Sequence, residues 1–138
     1  MSRVPPALQA RVRQRAGACC EYCRLPEQFS PMRFEPDHVI AEQHGGPTVL
    51  ANLAWACFVC NRHKLSNLAG IDPKTGKTTW LFNPRRQKWQ RHFRWQGATL
   101  VGRTPVGRAT ISVLGINLPH QIALRAALIA EGVLSPAP

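Results

Sequence analysis

The amino-acid sequence predicts an α+β protein, in which a small mixed core follows an N-terminal helix and precedes a helical C-terminal extension. Three observations predict this class. Helix patterns lie near both ends of the chain, short strand patterns lie between them, and two pairs of cysteines flank the motif core. A chain of 138 residues has the length of about one domain. We therefore expect a single domain over residues 1–138, with a motif core at about 18–68 and the extension at about 72–135.

The first half of the chain has clear local signals. Residues 4–16 carry prolines near a first helical turn and end before Gly17, which predicts a helix. A proline-broken loop then leads to a strand candidate at residues 37–41. Residues 49–60 are nearly all apolar, so we expect this segment to lie in the core.

The second half follows from similar patterns. Thr104 followed by Pro105 predicts an N-cap and a first helical residue. Basic residues that alternate with aromatic ones predict an amphipathic helix at residues 85–93. The remaining predicted elements are helices at residues 60–68, 105–114 and 119–131, a turn at 72–76, a strand at 78–82 and a hairpin at 95–101.

The charge of the chain is unusual. Eighteen lysines and arginines stand against seven aspartates and glutamates, which gives a formal net charge of +11 and a sequence pI near 10.8. Such an excess favours a polyanionic partner, either nucleic acid or an anionic membrane surface. The sequence has no run of about 18 apolar residues and no signal-peptide pattern, which disfavours a membrane. We expect a cytoplasmic protein with no membrane partner, and the sequence predicts no oligomeric state.

Four of the five cysteines form two pairs with the same spacing, Cys20-x2-Cys23 and Cys57-x2-Cys60. Cytoplasmic thiols stay reduced, and two such pairs can surround one ion as a tetrahedron. The pattern predicts a structural Zn²⁺ with no open coordination position. The alternative, that these thiols are small buried hydrophobic groups, leaves the matched spacings unexplained. Cys19 is expected to pack, with a Cys19-x3-Cys23 pair as the open alternative.

Asp37 and His38 lie between the two cysteine pairs, within a predicted strand. Adjacent side chains of an extended strand point to opposite faces, so both serve one site only where the backbone bends. By itself the dipeptide also suits a turn cap at Asp37 and a half-buried His38.

Two asparagines add to this pattern. Asn52 is the polar exception in the apolar run, and an unpaired buried amide costs about 1–3 kcal/mol. We therefore expect Asn52 to hydrogen-bond to a loop backbone or to another side chain. Asn61 directly follows the last cysteine, at the start of a predicted helix.

Together these residues resemble the HNH endonuclease family. The resemblance covers about residues 18–67, in the run Asp37-His38-Val39-Ile40, Gly45-Gly46, Asn52-Leu53 and Cys57-x2-Cys60-Asn61-x2-Lys64. It implies a ββα-metal fold (a His-Me finger), in which two short strands and a helix hold one divalent ion. It also implies metal-dependent hydrolysis of DNA phosphodiester bonds.

The resemblance assigns a role to each motif residue. It implies His38 as the general base, Asp37 and Asn61 as ligands of the catalytic metal, and Asn52 as the residue that holds the loop orienting His38. Many members have histidine at the position of Asn61, so this sequence is an HNN variant. His63 competes with Asn61 as a ligand, but residues two apart on a helix do not share a face, and the register favours Asn61.

These residue types suit phosphodiester hydrolysis. A neutral histidine can accept a proton from water near pH 7. Mg²⁺ or Mn²⁺ prefers oxygen ligands and acts as a Lewis acid on the phosphate. Arg62 or Lys64 would steady the non-bridging oxygens.

Basic residues outside the motif extend the expected contact with DNA, with RNA as an open alternative. Trp89 and Phe93 are expected to pack in the core, whereas their basic neighbours are expected to face phosphates. The residues expected to bind nucleic acid are Arg62, Lys64, Arg85, Arg86, Lys88 and Arg91.

Two functions of different classes fit the sequence. A non-catalytic zinc-knuckle nucleic-acid-binding protein needs the four cysteines and the basic charge. A metal-dependent endonuclease also needs Asp37, His38, Asn52 and Asn61, and their presence together favours the nuclease. A redox or transfer enzyme with Cys19 as nucleophile lacks a base partner.

Overall fold

The computed structural model describes residues 4–135, and the chain divides into two compact units. The first unit comprises Met1–Leu68 and Asn83–Gln87, and the second comprises Ala69–Phe82 and Lys88–Pro138. Helices and separate two-stranded antiparallel sheets make up the described residues, which confirms the α+β class. The expectation of one nuclease domain over residues 1–138 stays a prediction.

The first unit begins with helix α1 (Pro6–Arg15), close to the predicted bounds. Pro6 takes the first helical position, where no backbone donor is needed. Gly17 follows the helix with a φ of 65°, a left-handed conformation that glycine adopts without steric cost. Val12 is the buried residue of this helix, and its arginines remain at the surface.

Strands β1 (Glu35–His38) and β2 (Leu53–Ala56) pair antiparallel in the first unit. The register places Asp37 opposite Ala54 and His38 opposite Leu53. Strand β2 is buried along its whole length, as its apolar sequence predicts. Helix α2 (Phe58–Lys64) follows β2 almost directly, so strand, strand and helix occur in the order that the resemblance implies.

The second unit contains two hairpins and three helices. Its elements are the hairpin of β3 (Ala69–Ile71) and β4 (Thr78–Trp80), helix α3 (Trp89–His92), the hairpin of β5 (Phe93–Gln96) and β6 (Thr99–Gly102), and helices α4 (Pro105–Leu114) and α5 (Pro119–Ala130). The Thr104 side chain accepts a hydrogen bond from the Gly107 amide, which confirms the predicted N-cap of α4. Aromatic and aliphatic side chains fill the core of this unit, among them Phe82, Phe93, Leu100, Leu114 and Ile116.

Some predicted boundaries are wrong. The strand predicted at residues 37–41 instead spans Glu35–His38, because the chain bends at Val39 and Ile40, where the Asn52 side chain accepts from the Ile40 amide. The helix predicted at residues 60–68 begins at Phe58 and ends at Lys64. Cys57 caps its start, and Leu65 ends it with a φ of 50°.

The long amphipathic helix predicted at residues 85–93 is wrong. Only Trp89–His92 is helical, and Phe93 already belongs to strand β5. Asn83 and Gln87 close a turn before the helix, because the Asn83 amide donates to the Gln87 side chain at 2.8 Å. Beyond the predicted helix, the residues of β5 alternate between the core and solvent with the period of two of a strand.

No single helix among residues 4–135 is both long enough and apolar enough to cross a membrane. Helices α4 and α5 meet the length and composition criteria only as a pair, and that pair is bent by 101°.

Candidate functional site

The four cysteines of the matched pairs converge in the first unit. The Sγ atoms of Cys20, Cys23, Cys57 and Cys60 all lie within 4.8 Å of one another, and all four residues are buried. Within residues 4–135, no other group of three or more His, Cys, Asp or Glu side chains lies close enough to share an ion. Cys19 lies outside the cluster and is half-buried, and burial raises the pKa of its thiol.

The geometry of this cluster fits zinc. The Sγ atoms of Cys23 and Cys57 are 3.7 Å apart. Four sulfurs at the usual Zn–S distance of about 2.3 Å are about 3.8 Å apart in a tetrahedron. In each pair, the amide of the second cysteine donates to the sulfur of the first at 3.4 Å. The donor set and the spacing are therefore compatible with a structural zinc site.

The protonation of the thiols is also compatible with a bound cation. Hydrogen bonds with the neighbouring sulfurs, together with burial, raise the pKa of Cys23 and Cys60 well above the ordinary value. Hydrogen bonds from the other three thiols lower the pKa of Cys57. The buried cluster thus resists carrying several negative charges by itself, and a divalent cation would supply the charge that lets all four ionise.

The ring of His38 lies in a small polar network at the end of β1. Its Nε2 is 2.9 Å from the Oγ1 of Thr48 and 3.2 Å from the Oε1 of Glu42. The Thr48 hydroxyl donates to the same Glu42 oxygen at 3.0 Å. The side chain of His38 is 10% exposed, so this network holds the ring in a largely enclosed place.

The amide of Asn52 is fully used by the loop that follows β1. Its Nδ2 donates to the carbonyls of Ile40 and Pro47, both at 2.9 Å, and its Oδ1 accepts from the Ile40 amide at 3.0 Å. Gly46 lies against this contact, because a Cβ there would stand 1.7 Å from the Ile40 carbonyl oxygen and 2.8 Å from the Asn52 amide nitrogen. The expectation that Asn52 bonds to a loop backbone matches these contacts.

Asp37 lies in a buried ion pair and not at an open surface. Its carboxylate accepts from the Tyr22 hydroxyl at 2.7 Å, and the Nζ of Lys64 is 3.1 Å from its Oδ2. Lys64 is 2% exposed and also donates to the carbonyls of His38 and Val39. Burial raises the pKa of Asp37, while the charge of Lys64 acts in the opposite direction.

The position of Lys64 therefore disagrees with the expectation that its side chain contacts phosphate. An ammonium group buried against Asp37 and two carbonyls is committed to the protein interior. Its contacts tie α2 to the last residues of β1, which carry Asp37 and His38.

Asn61 lies on the same helix, beside a surface groove. Its Nδ2 is 3.5 Å from a carboxylate oxygen of Glu35. The groove has a volume of about 380 Å³, and its lining includes Met32, Arg33 and Phe58. His63 is exposed, and its Nδ1 is 2.9 Å from the Val59 carbonyl of its own helix, so the structure does not bring it to Asp37 or His38.

The basic residues expected to bind nucleic acid have different surroundings. Arg62 is exposed beside the groove, with its guanidinium 5.6 Å from the centre of the Phe58 ring. Arg85 forms an ion pair with Glu21 and is mostly buried. Of the others, Arg86 in the first unit and Lys88 and Arg91 in the second are exposed.

Sequence reasoning missed three residues of this site: Thr48, Glu42 and Tyr22. Glu42 stands four residues after His38, and that spacing was an available signal. Thr48 follows the Gly-Gly-Pro turn, and Tyr22 stands between the first two zinc-ligand candidates. No sequence pattern identifies either residue as part of the site; only the folded structure does.

Comparison with known proteins gives one match. Residues 20–67 match a family model described as HNH endonuclease. This range includes both cysteine pairs, Asp37, His38, Asn52 and Asn61. No curated protein and no solved structure matches the chain.

Proposed function

Because residues 20–67 carry an HNH endonuclease match, we propose that this protein is a metal-dependent endonuclease that hydrolyses phosphodiester bonds in DNA. One observation carries the proposal furthest, the anchoring of the His38 ring by Thr48 and Glu42.

This anchoring supports Nδ1 as the ring nitrogen that acts as the base. The Thr48 hydroxyl has one proton, and it is donated to Glu42. With that proton donated to Glu42, the hydroxyl oxygen accepts from His38, which favours the tautomer with the ring proton on Nε2. In a neutral imidazole the other nitrogen is then unprotonated. His38 therefore offers its Nδ1 lone pair to the attacking water, and the Glu42 carboxylate stabilises the imidazolium that forms.

Asn52 acts as a positioning residue in this proposal. It fixes the loop between Ile40 and Pro47, and Thr48 follows directly. A network that keeps a catalytic ring in one orientation lowers the cost of reaching the transition state.

The oxygen donors of Asp37 and Asn61 suit Mg²⁺ or Mn²⁺ as the catalytic ion. Such an ion, when bound, supplies Lewis-acid stabilisation of the phosphate and of the leaving oxygen. The ion would compete with the Lys64 ammonium for the Asp37 carboxylate, because that carboxylate already accepts from Lys64 and Tyr22.

The zinc that we assign to the four cysteines has a structural role. Four thiolates leave no open position for water, so the ion stabilises the chain on either side of β1 and β2 and takes no part in hydrolysis. A site of this kind requires reduced thiols, which agrees with our proposal that the protein acts in the cytoplasm.

A second candidate function is a zinc-knuckle protein that binds nucleic acid without cutting it. One observation favours it: the Asp37 carboxylate is already paired with the buried Lys64. The two candidates differ in cleavage and not in binding.

Cleavage of supercoiled plasmid tests the proposal. The zinc-loaded protein is incubated with Mg²⁺, Mn²⁺ or excess EDTA, and the variants are His38→Ala, His63→Ala and, as a matched exposed control, His120→Ala. We expect metal-dependent nicking that His38→Ala nearly abolishes and the other two histidine variants retain. A folded wild type that binds plasmid and RNA but cuts neither in any metal would establish the binding protein instead.

A further inference from the structure

The hairpin of β3 and β4 exposes an unusual apolar face. Trp80 is 69% exposed and Ile71 is 54% exposed. A tryptophan side chain is among the most costly apolar groups to leave in water. We call the hairpin of β3 and β4, with the turn between the strands, the ribbon.

The register places the two apolar side chains on the same side of the ribbon. Ala69 pairs with Trp80 and Ile71 pairs with Thr78, and paired residues point to the same face. The opposite face includes Gly70, where a Cβ would stand 2.3 Å from a methyl group of Val113 in helix α4. The ribbon is thus packed on α4 through one face, and the face with Trp80 stays outward.

The turn of the ribbon is rigid because Asp72 organises it. The fully buried Asp72 carboxylate accepts from the Lys74 amide at 3.0 Å and from the Thr75 hydroxyl at 2.9 Å. Two guanidinium nitrogens of Arg108 donate to the same carboxylate, both at 2.9 Å. The turn therefore holds one conformation, and the exposed Lys74 and Lys77 extend from it.

The charge around the ribbon identifies the kind of partner. Asp72 and Glu131 are the acidic residues of the second unit, and Asp72 is neutralised by Arg108. The unit has eight basic residues: Lys74, Lys77, Lys88, Arg91, Arg94, Arg103, Arg108 and Arg125. An apolar face with exposed lysines and almost no negative charge fits a polyanion that also presents apolar surfaces.

We propose that the ribbon binds an unpaired segment of DNA, with a base stacked on Trp80 and the adjoining phosphates held by Lys74 and Lys77. Unpaired bases expose both aromatic faces, whereas bases inside a duplex are already stacked on one another. The inference rests on DNA as the partner of the proposed function, but it does not depend on cleavage.

Fluorescence anisotropy tests the ribbon separately from catalysis. A labelled single-stranded oligodeoxynucleotide of about 16 nucleotides is titrated with zinc-loaded full-length protein, without Mg²⁺ or Mn²⁺. We expect Trp80→Ala to weaken binding roughly 5- to 100-fold, and Trp80→Phe to retain most of the affinity. The control is Val133→Ala, which removes another exposed apolar side chain of the second unit outside the ribbon and should bind like the wild type.

The salt dependence separates stacking from charge. The slope of log affinity against log salt should be unchanged in Trp80→Ala, because stacking releases no counterions. In Lys77→Gln the slope should become less negative by about 0.7, as expected when one contact with a phosphate of single-stranded DNA is lost.

Two results would overturn the inference. One is an equal loss of affinity in Trp80→Ala and Val133→Ala. The other is wild-type affinity for the oligonucleotide in Trp80→Ala; a changed oligomeric state of that variant would then assign the face to a second copy of the chain. A wild type that binds through Trp80 but cuts no DNA would retain this inference and reject the nuclease.

Discussion

Thr48 connects the two parts of the candidate catalytic network, because its hydroxyl contacts both the His38 ring and the Glu42 carboxylate. Replacing it with valine keeps the shape and removes both hydrogen bonds. We expect Thr48→Val to lower the cleavage rate about 10- to 100-fold, as for other residues that orient a reacting group, with DNA affinity nearly unchanged. Thr48→Ser keeps the hydroxyl and should retain most of the activity. Single-turnover cleavage and metal-free binding measure the two effects, and equal rates for Thr48→Val and wild type would exclude an orienting role.

Lys64 is buried, so its charge acts on the stability of the protein through Asp37 and not on DNA. Lys64→Met leaves the Asp37 carboxylate buried without its cation, and breaking such a pair costs about 3–5 kcal/mol. Urea denaturation should show this loss in the free energy of unfolding. The double variant Asp37→Asn with Lys64→Met removes both charges and should recover part of the stability. Equal stabilities of the single and double variants would contradict the pairing.

These residues also show what the sequence could and could not predict about the site. The convergence of the cysteines was predictable because two pairs with a two-residue spacing are typical of zinc sites. The backbone contacts of Asn52 were predictable because a lone amide in an apolar run must find partners. The burial of Lys64 was not predictable, because a basic residue in a basic helix has the same local pattern whether it faces DNA or Asp37.

At the scale of elements, the sequence predicted a helix or strand best where its capping residues and its hydrophobic periodicity indicated the same element. Helix α4 has its threonine cap and its proline, and it begins where both predict. The pattern at residues 85–93 predicted one helix, but Asn83–Gln87 forms a turn and pairing with β6 takes Phe93 into a strand. The three residues of β3 have no strand pattern of their own, so β3 arises from its pairing with β4.

The turn between β3 and β4 should make the second unit sensitive to acid. The Arg108 hydrogen bonds hold the pKa of Asp72 well below the ordinary carboxyl value. A carboxyl group with a lowered pKa in the folded state contributes stability above its unfolded pKa of about 3.9, and this contribution is lost as the pH falls toward the folded pKa. We therefore expect Tm to decrease more steeply below about pH 4 in the wild type than in Asp72→Asn. Parallel curves of Tm against pH for the two proteins would show that this ion pair adds no acid-sensitive stability.

At the scale of the whole molecule, the cysteine cluster lies entirely within the first unit. If the cluster holds the zinc that we propose, a strong chelator should unfold that unit, because the ion would offset the charge of four buried thiolates. The helical circular dichroism of α4 and α5 in the second unit should persist. Hydrogen exchange resolved along the chain measures both effects, and equal loss of protection in both units would show that they unfold together.

The net charge of +11 determines how the protein should respond to salt. Each phosphate that the protein neutralises on duplex DNA releases counterions, so affinity decreases with ionic strength. With about six phosphate contacts, binding should weaken on the order of 10³-fold between about 50 and 200 mM salt. Anisotropy with the His38→Ala variant, without Mg²⁺ or Mn²⁺, measures this on intact duplex. An affinity that hardly changes over that range would exclude phosphate contacts as its main source.

The pairing of Glu21 with Arg85 has a consequence for synthesis on the ribosome. The first unit is assembled from two separate pieces of chain, and Asn83–Gln87 supplies the cation for a buried carboxylate near the first cysteine pair. A nascent chain that has emerged only as far as Leu68 already contains every cysteine, yet Glu21 still lacks its guanidinium partner. Completion of this unit therefore waits for residues that follow the β3–β4 hairpin, and a gene fragment truncated after Leu68 would encode the whole HNH match without a finished fold.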